Sequence, residues 1–275
     1  MAKPDRASLA APALLGGLTE IVARAATAIC ALPAHAVARR TKSDNSLVTD
    51  ADEASEIVLL EGLARLTPDI PVISEERMAR NDPPRLDDCF FLVDPLDGTR
   101  EYVEGRDEYA VNLALICEGR PLLGIIASPA RRRLWRGIVG RGAERLAFDN
   151  GELGQVELVR TRRWPHDRAV AALSRSHFDR DSDALLGRLN VAHSMAMGSA
   201  LKFCLIAEGN ADVYPRLAPT REWDIAAGDA LISAAGGIVT GIDGSPLSFG
   251  RAETDFSVPG FIAWGDPARA RQGLP

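Results

Sequence analysis

The chain has 275 residues, 46% hydrophobic and 25% charged, enough for one large or two ordinary α/β domains with a real core. A formal net charge of −6 argues against a basic face for a nucleic-acid polymer, so an anionic ligand must be met by local cations, bound metal or both. Four cysteines, Cys30, Cys89, Cys117 and Cys204, lie far apart with no CxxC pair, which speaks against a zinc site or a disulfide scaffold and fits a reducing compartment.

Three of those cysteines sit in apolar runs, where a small buried hydrophobe is the ordinary role. No run of about 18 apolar residues is expected to span a bilayer, and Met1 to Ala10 lacks the compact apolar core of a signal peptide. Both point to the cytoplasm, with peripheral association at the inner membrane and the oligomeric state left open.

Residues 8–40 carry Leu14, Leu18, Ile21, Val22, Ala25 and Ile29 at helical spacing, which predicts one long amphipathic helix interrupted near Pro33. The polar run Arg39 to Ser46 reads as a loop, and Lys42, placed ahead of Asp52, suggests a flap that closes over the site. A second helix is expected over about 51–66, capped by Thr49 or Asp50, with first-turn acids that suit its dipole. Ile70 to Ser74 predicts a short strand leading into Glu75 and Glu76; residues 81–88 read as a polar loop.

Cys89 to Val93 has the pattern of a buried strand, which Pro95 is expected to stop at Asp94. Asp97 follows after a tight turn. Gly98 can take positive φ, and Thr99 suits the N-cap of the next helical turn. Adjacent antiparallel strands are expected over 110–117, 122–127 and 133–139, joined by turn chemistry, with a further strand over 141–148 before a turn at 149–152. The best boundary, at 165–167, divides the chain into an α+β part (1–164) and an α/β part (165–275). The second part alternates: strand 169–173, helix 179–188, strand 191–194, helix 199–208, strand 211–214, helix 224–235, and strands 238–240 and 261–264. Alternation of this kind predicts a layered α/β architecture.

Carboxylates recur at strand ends and helix starts: Asp52, Glu75 with Glu76, Asp94 with Asp97, and Asp224. Singly, Asp52 and Asp224 read as helix caps, Glu75 as a solvated loop acid and 94–99 as an acidic surface turn. Together they suit one crevice of the kind where α/β folds keep ligands. Their oxygens and the Leu96 carbonyl suit a hard cation such as Mg²⁺; the Gly98 and Thr99 amides suit a phosphate. Hydrolysis of a phosphate monoester is among the slowest uncatalysed reactions. Divalent ions can clamp its attacking and leaving oxygens, with Thr99 and Asp52 orienting the water. In the second half, Ser174-Arg175-Ser176-His177, Ser199 with Lys202 at a helix start, and Arg216 can hold the rest of a phosphorylated small molecule. A satisfied polar group is the plainer alternative for His177, and a solvated helix face for Lys202. No GxxxxGK[ST] pattern for nucleoside triphosphates is present.

Glu75-Glu76, Asp-Pro-Leu-Asp-Gly-Thr at 94–99 and Trp-Asp-Ile-Ala-Ala-Gly at 223–228 resemble, in order, the signatures of the Mg²⁺-dependent, Li⁺-sensitive inositol monophosphatase superfamily. Lys42 to Thr49, Leu66 to Glu76 and Gly198 to Arg216 are most similar to its branch of bacterial 3'(2'),5'-bisphosphate nucleotidases of the CysQ type. The resemblance covers about residues 40–264 and implies a five-layer αβαβα sandwich, with hydrolysis of 3'-phosphoadenosine 5'-phosphate to AMP and phosphate. An inositol or sugar phosphatase, and a metal-binding scaffold of the same fold without turnover, are the alternatives. The resemblance further implies Mg²⁺ held by Glu75, Asp94, the Leu96 carbonyl, Asp97 and Asp224, with Asp52 near a further metal. It implies catalytic roles for Asp52, Thr99 and Glu75, and substrate contacts at Gly98, Thr99, His177, Ser199, Lys202, Arg216 and Asp224. Arg100, where the branch usually carries Lys, and the tail after Trp264 depart from the pattern.

Overall fold

The computed structural model describes residues 6–32, 34, 37–41, 47–80, 85–176, 179–189 and 191–274. The expected flap around Lys42 and the site candidate His177 lie outside them. A short helix α1 (Arg6–Leu9) precedes α2 (Pro12–Cys30). Helix α2 opens on Pro12, whose missing N–H is harmless in a first turn, and it is shorter at both ends than the 8–40 expectation. A small antiparallel pair follows, β1 (Arg39–Thr41) with β2 (Leu47–Thr49). Helix α3 (Asp50–Leu66) is capped by Thr49: its hydroxyl accepts the Ala51 N–H at 3.2 Å, while Asp52 accepts the Thr49 N–H at 2.8 Å. Leu18, Val22, Ala25 and Ile29 form the buried stripe of α2, and α2 packs along α3. Gly62 permits the approach, since a Cβ there would lie 2.7 Å from Ile21. Against expectation, α2 has the length and apolar composition of a membrane span. Half of that span is buried inside the protein, against α3 and the large sheet, which is the packing of a core helix.

The large sheet has seven strands in sequential order: β3 (Val72–Ser74), β4 (Cys89–Asp97), β5 (Ala110–Cys117), β6 (Arg120–Ser128), β7 (Arg133–Ile138), β8 (Gly142–Asp149) and β9 (Glu152–Val159). Only β3 and β4 are parallel. Helices α4 (Glu75–Ala79) and α5 (Thr99–Val103) sit between β3 and β4 and between β4 and β5. The sequence reading contained no β9, because most of its residues are exposed and no apolar face marks it.

Two expectations fail in β4. The strand does not stop at Asp94. Asp94 pairs with Asn112 and Asp97 with Ala110, so β4 carries one extra residue as a β-bulge, where Pro95 needs no ladder partner. Cys89 and Cys117 are also not free buried thiols. They lie directly opposite in the β4–β5 register, Cα atoms 4.2 Å apart, and form a disulfide. The cysteines were distant only along the chain; strand pairing makes them neighbours. Cys30 and Cys204 remain free.

The second half contains β10 (Val170–Ser174), α6 (Arg180–Arg188), β11 (His193–Met197), α7 (Leu201–Ala207), β12 (Val213–Arg216), β13 (Thr220–Arg221), α8 (Glu222–Ala235), β14 (Ile238–Thr240), β15 (Ser257–Val258), β16 (Phe261–Trp264) and α9 (Pro267–Ala270). Its five-stranded sheet has the order β11-β10-β12-β16-β14. Three apolar cores separate the layers. One lies between α2–α3 and the large sheet. One holds α7 and α8 between the two sheets. One lies under α6 on the outer face of the small sheet. The order α, β, α, β, α is thus the five-layer sandwich. Helix α8 lies close on β6 because Gly124 has no side chain; a Cβ there would sit 2.4 Å from the Ala227 carbonyl oxygen.

Candidate active site

The β4 bulge is the frame of the site. Asp94 Oδ1 accepts the Leu96 N–H at 3.0 Å, and Ser55 of α3 donates to the Pro95 carbonyl at 2.7 Å. Gly98 follows at φ 89°, and it, rather than Thr99, is the N-cap of α5. Thr99 becomes the first helical residue, within 3.1 Å of both Asp52 Oδ1 and the Leu96 carbonyl. Its hydroxyl has one proton for these two acceptors.

Glu75 opens α4, Asp224 lies in the first turn of α8, Ser199 and Lys202 flank the start of α7, and Arg216 ends β12. These residues and Asp94, Leu96, Asp97, Gly98 and Thr99 all line one cavity of about 390 Å³. Asp52 is buried behind it and reaches it through Thr99. Side chains as distant in sequence as Glu75 and Asp224 therefore line one crevice.

The donor set fits a hard divalent cation: carboxylates plus a turn carbonyl, with no competing sulfur or imidazole among the described lining residues. The electrostatics fit as well. Burial and the nearby Asp97 charge both push the Asp224 carboxyl up, against a hydrogen bond from Thr220 and the Arg216 charge. A cation between two mutually repelling carboxylates relieves that cost. Among the described residues no three acids, histidines or cysteines already close on one point. The described hydrogen bonds to Asp97 and Asp224 fall on Oδ2. Asp97 Oδ2 accepts from Ser199 Oγ at 2.7 Å and the Ala200 N–H at 2.6 Å, and Asp224 Oδ2 accepts from Thr220 and the Arg221 N–H.

The same cavity is also lined by cations, Lys202 and Arg216 among them. Lys202 is 2% exposed, donates to the Ser199 carbonyl at 2.5 Å and lies 5.1 Å over the Tyr214 ring. Burial pushes its ammonium down to about 8, despite the opposing pull of Asp97. The solvated-face alternative for Lys202 is thereby excluded.

A profile described as the inositol monophosphatase family matches residues 11–265. The chain belongs to the inositol monophosphatase family. Among its relatives, the 3'(2'),5'-bisphosphate nucleotidase CysQ of Escherichia coli K12 is 41% identical over 226 residues, 80% of this chain and 86% of that protein. The Salmonella typhimurium protein of the same name is 41% identical over 225 residues, with the same coverage. The structure of CysQ from Bacteroides thetaiotaomicron superposes with a TM-score of 0.74 at 30% identity, covering 90% of this chain and 96% of that one. An inositol monophosphatase from Anabaena shares the fold, with a TM-score of 0.72 at 24% identity, covering 96% of both chains.

One reading does not hold within this family member. Arg175 is not turned to a ligand; its guanidinium is held by Glu108 at 2.6 and 2.8 Å. Burial would raise Glu108, but Arg175 and the Gly198 amide hold it below the usual carboxylate range. Glu101 and Thr220 line the cavity and were missed. Glu101, 3% exposed, accepts from Ser176, yet in sequence it is only a first-turn acid. Thr220, on β13 ahead of α8, donates to Asp224, a contact made by the turn between strand and helix that no helical spacing marks.

Proposed function

We propose that the chain is a Mg²⁺-dependent 3'(2'),5'-bisphosphate nucleotidase that hydrolyses 3'-phosphoadenosine 5'-phosphate to AMP and phosphate. The observation that carries this reading is one cavity lined both by acids (Glu75, Asp94, Asp97, Asp224) and by cations (Lys202, Arg216). A bisphosphate needs both: one phosphate at the acids' metal, and a second group at fixed cations. The 41% identical nucleotidases support the substrate class.

On this reading Glu75, Asp94, Asp97, Asp224 and the Leu96 carbonyl hold Mg²⁺, with Asp52 beside a further ion. Bound Mg²⁺ supplies a lowered pKa for the attacking water and charge balance on the leaving oxygen. Thr99 Oγ1 donates to Asp52, which leaves its lone pairs to accept from that water and aim it at phosphorus. The bond from the water oxygen to phosphorus forms and the bond to the ribose 3' oxygen breaks; the water's proton passes through Thr99 Oγ1 to Asp52, and the departing 3' oxygen takes a proton from solvent to become the hydroxyl of AMP. The Gly98 and Thr99 amides hold the scissile phosphate at the start of the α5 turn, and Ser199, Lys202 and Arg216 bind the remainder. Residues 1–164 then form the part with most of the acids, and 165–275 the part that completes the site.

Phosphate release should be measured on 3'-phosphoadenosine 5'-phosphate, inositol 1-phosphate and a sugar phosphate with and without Mg²⁺. The nucleotide should have the highest kcat/KM. Asp94→Asn should lower its turnover at least about 100-fold. A preference for inositol 1-phosphate would make the chain an inositol monophosphatase, and unchanged turnover in Asp94→Asn would falsify the metal assignment.

A further inference from the structure

Glu108 does not line the cavity, yet it ties the two halves of the site together. It lies between α5 and β5. Its carboxylate takes Arg175 Nε at 2.6 Å, Arg175 Nη2 at 2.8 Å and the Gly198 N–H at 2.8 Å. Arg175 follows β10 and also donates to the Ala196 carbonyl at 2.8 Å in β11. Glu108 is 7% exposed, so this is a planar two-toothed pair on a nearly buried acid.

The backbones meet at the same point. A Cβ on Gly198 would lie 2.6 Å from the Glu108 carbonyl oxygen, and one on Gly98 would lie 3.2 Å from it and 3.3 Å from Ser199 Cβ. Two glycines thus let the Gly98 loop and the 198–200 turn touch across Glu108. The next residue, Ser199, has φ 57°, a conformation that a side chain disfavours unless its surroundings impose it. From there Ser199 Oγ and the Ala200 N–H both reach Asp97 Oδ2, at 2.7 and 2.6 Å. The amide that Glu108 grips is therefore directly followed by the two donors that orient Asp97.

We infer that Glu108 is a positioning residue: with Arg175 it locks the Gly198–Ser199 turn so that Ser199 and Ala200 hold Asp97 for metal binding. The inference rests on the metal site of the proposed function. Contacts made directly to a ligand, as Ser199 and Ala200 make to Asp97, change metal affinity about 10–100-fold; Glu108 acts on them from one step further out, at the lower end of that range.

The test is Mg²⁺ affinity of the full chain by calorimetry without substrate, together with kcat, KM and thermal stability. Glu108→Gln should weaken Mg²⁺ binding about tenfold. Its kcat at saturating Mg²⁺ should stay within about threefold, with little change in Tm. Ser199→Ala should weaken binding too, and the double variant should lose little more, because both act on the same oxygen. Arg175→Met should reproduce the loss and Arg175→Lys recover part of it. Arg175 is exposed, so this pair carries the test if Glu108→Gln does not fold. Mg²⁺ affinity within twofold of the parent, whether or not Tm falls, overturns the proposal. A parent chain that binds Mg²⁺ and releases phosphate alongside unaffected variants sinks the clamp alone. A parent that does not bind Mg²⁺ sinks the proposed function, and the clamp with it.

Discussion

Asp229 shows how one buried group sets a pH dependence. It is 3% exposed on α8; Oδ1 takes the Ser233 hydroxyl at 3.1 Å, and Oδ2 has no hydrogen-bond partner among the described residues. Burial pushes its pKa up to about 6, against Ser233 and the Arg120 charge. An unfolded chain titrates near the model-peptide value of about 3.9. The folded state thus keeps a proton that the unfolded state has lost. Stability from this group is fully present below about pH 4 and falls by up to roughly 3 kcal/mol as pH rises to about 6. Urea unfolding from pH 4 to 8 should show Asp229→Asn gaining on the parent across that window and running parallel above it; parallel curves throughout would reject the titration. At the cavity, Lys202→Gln should raise KM for the bisphosphate about tenfold or more with a smaller effect on kcat, since a charged contact is lost to substrate and transition state alike. The acids of the site were legible because each stands in a short local motif. The Glu108–Arg175 pair was not, because its members are 67 residues apart and either alone reads as a surface charge.

At the level of elements, α8 links stability to the site. It carries Asp224 at its start and rests on β6 through Gly124, where a Cβ would meet the Ala227 carbonyl oxygen at 2.4 Å and Ala230 Cβ at 2.8 Å. Neither backbone can yield locally, so Gly124→Ala should cost about 1–3 kcal/mol. It should also weaken Mg²⁺ binding by tilting Asp224; denaturant unfolding and calorimetry on one preparation would expose a loss of one without the other. Helices and most central strands matched their sequence expectation, because hydrophobic period is a local quantity. The edges of that reading failed where pairing intervenes. Pro95 suggested a strand end, but a bulge absorbs a residue without an N–H. Strand β9 lacks an apolar face and exists because β8 offers it a ladder.

For the whole molecule, the proposed metal joins acids from β4 and α4 to Asp224 of α8 across the middle layers. A ligand that binds only the folded state stabilises it by about 2.7 kcal/mol at a hundredfold excess over its Kd. For a chain of this size that is a rise in Tm of roughly 5 °C. Mg²⁺ should give such a rise in the parent and little in Asp224→Asn; an equal rise in both would remove Asp224 from the metal site. Composition, hydrophobic period and three ordered motifs were enough to infer the layered fold and the family and to single out Glu75, Asp94, Asp97 and Asp224, which line the cavity, since all of these reside in neighbouring residues. Long-range pairing alone settled the Cys89–Cys117 disulfide, the bulge between Asp94 and Asp97, the burial that tunes Lys202, and the bonds of Glu108 to Arg175 and Gly198. Each of those depends on which distant backbone lies alongside, and on how much water it excludes, and neither quantity is written in the spacing of residues along the chain.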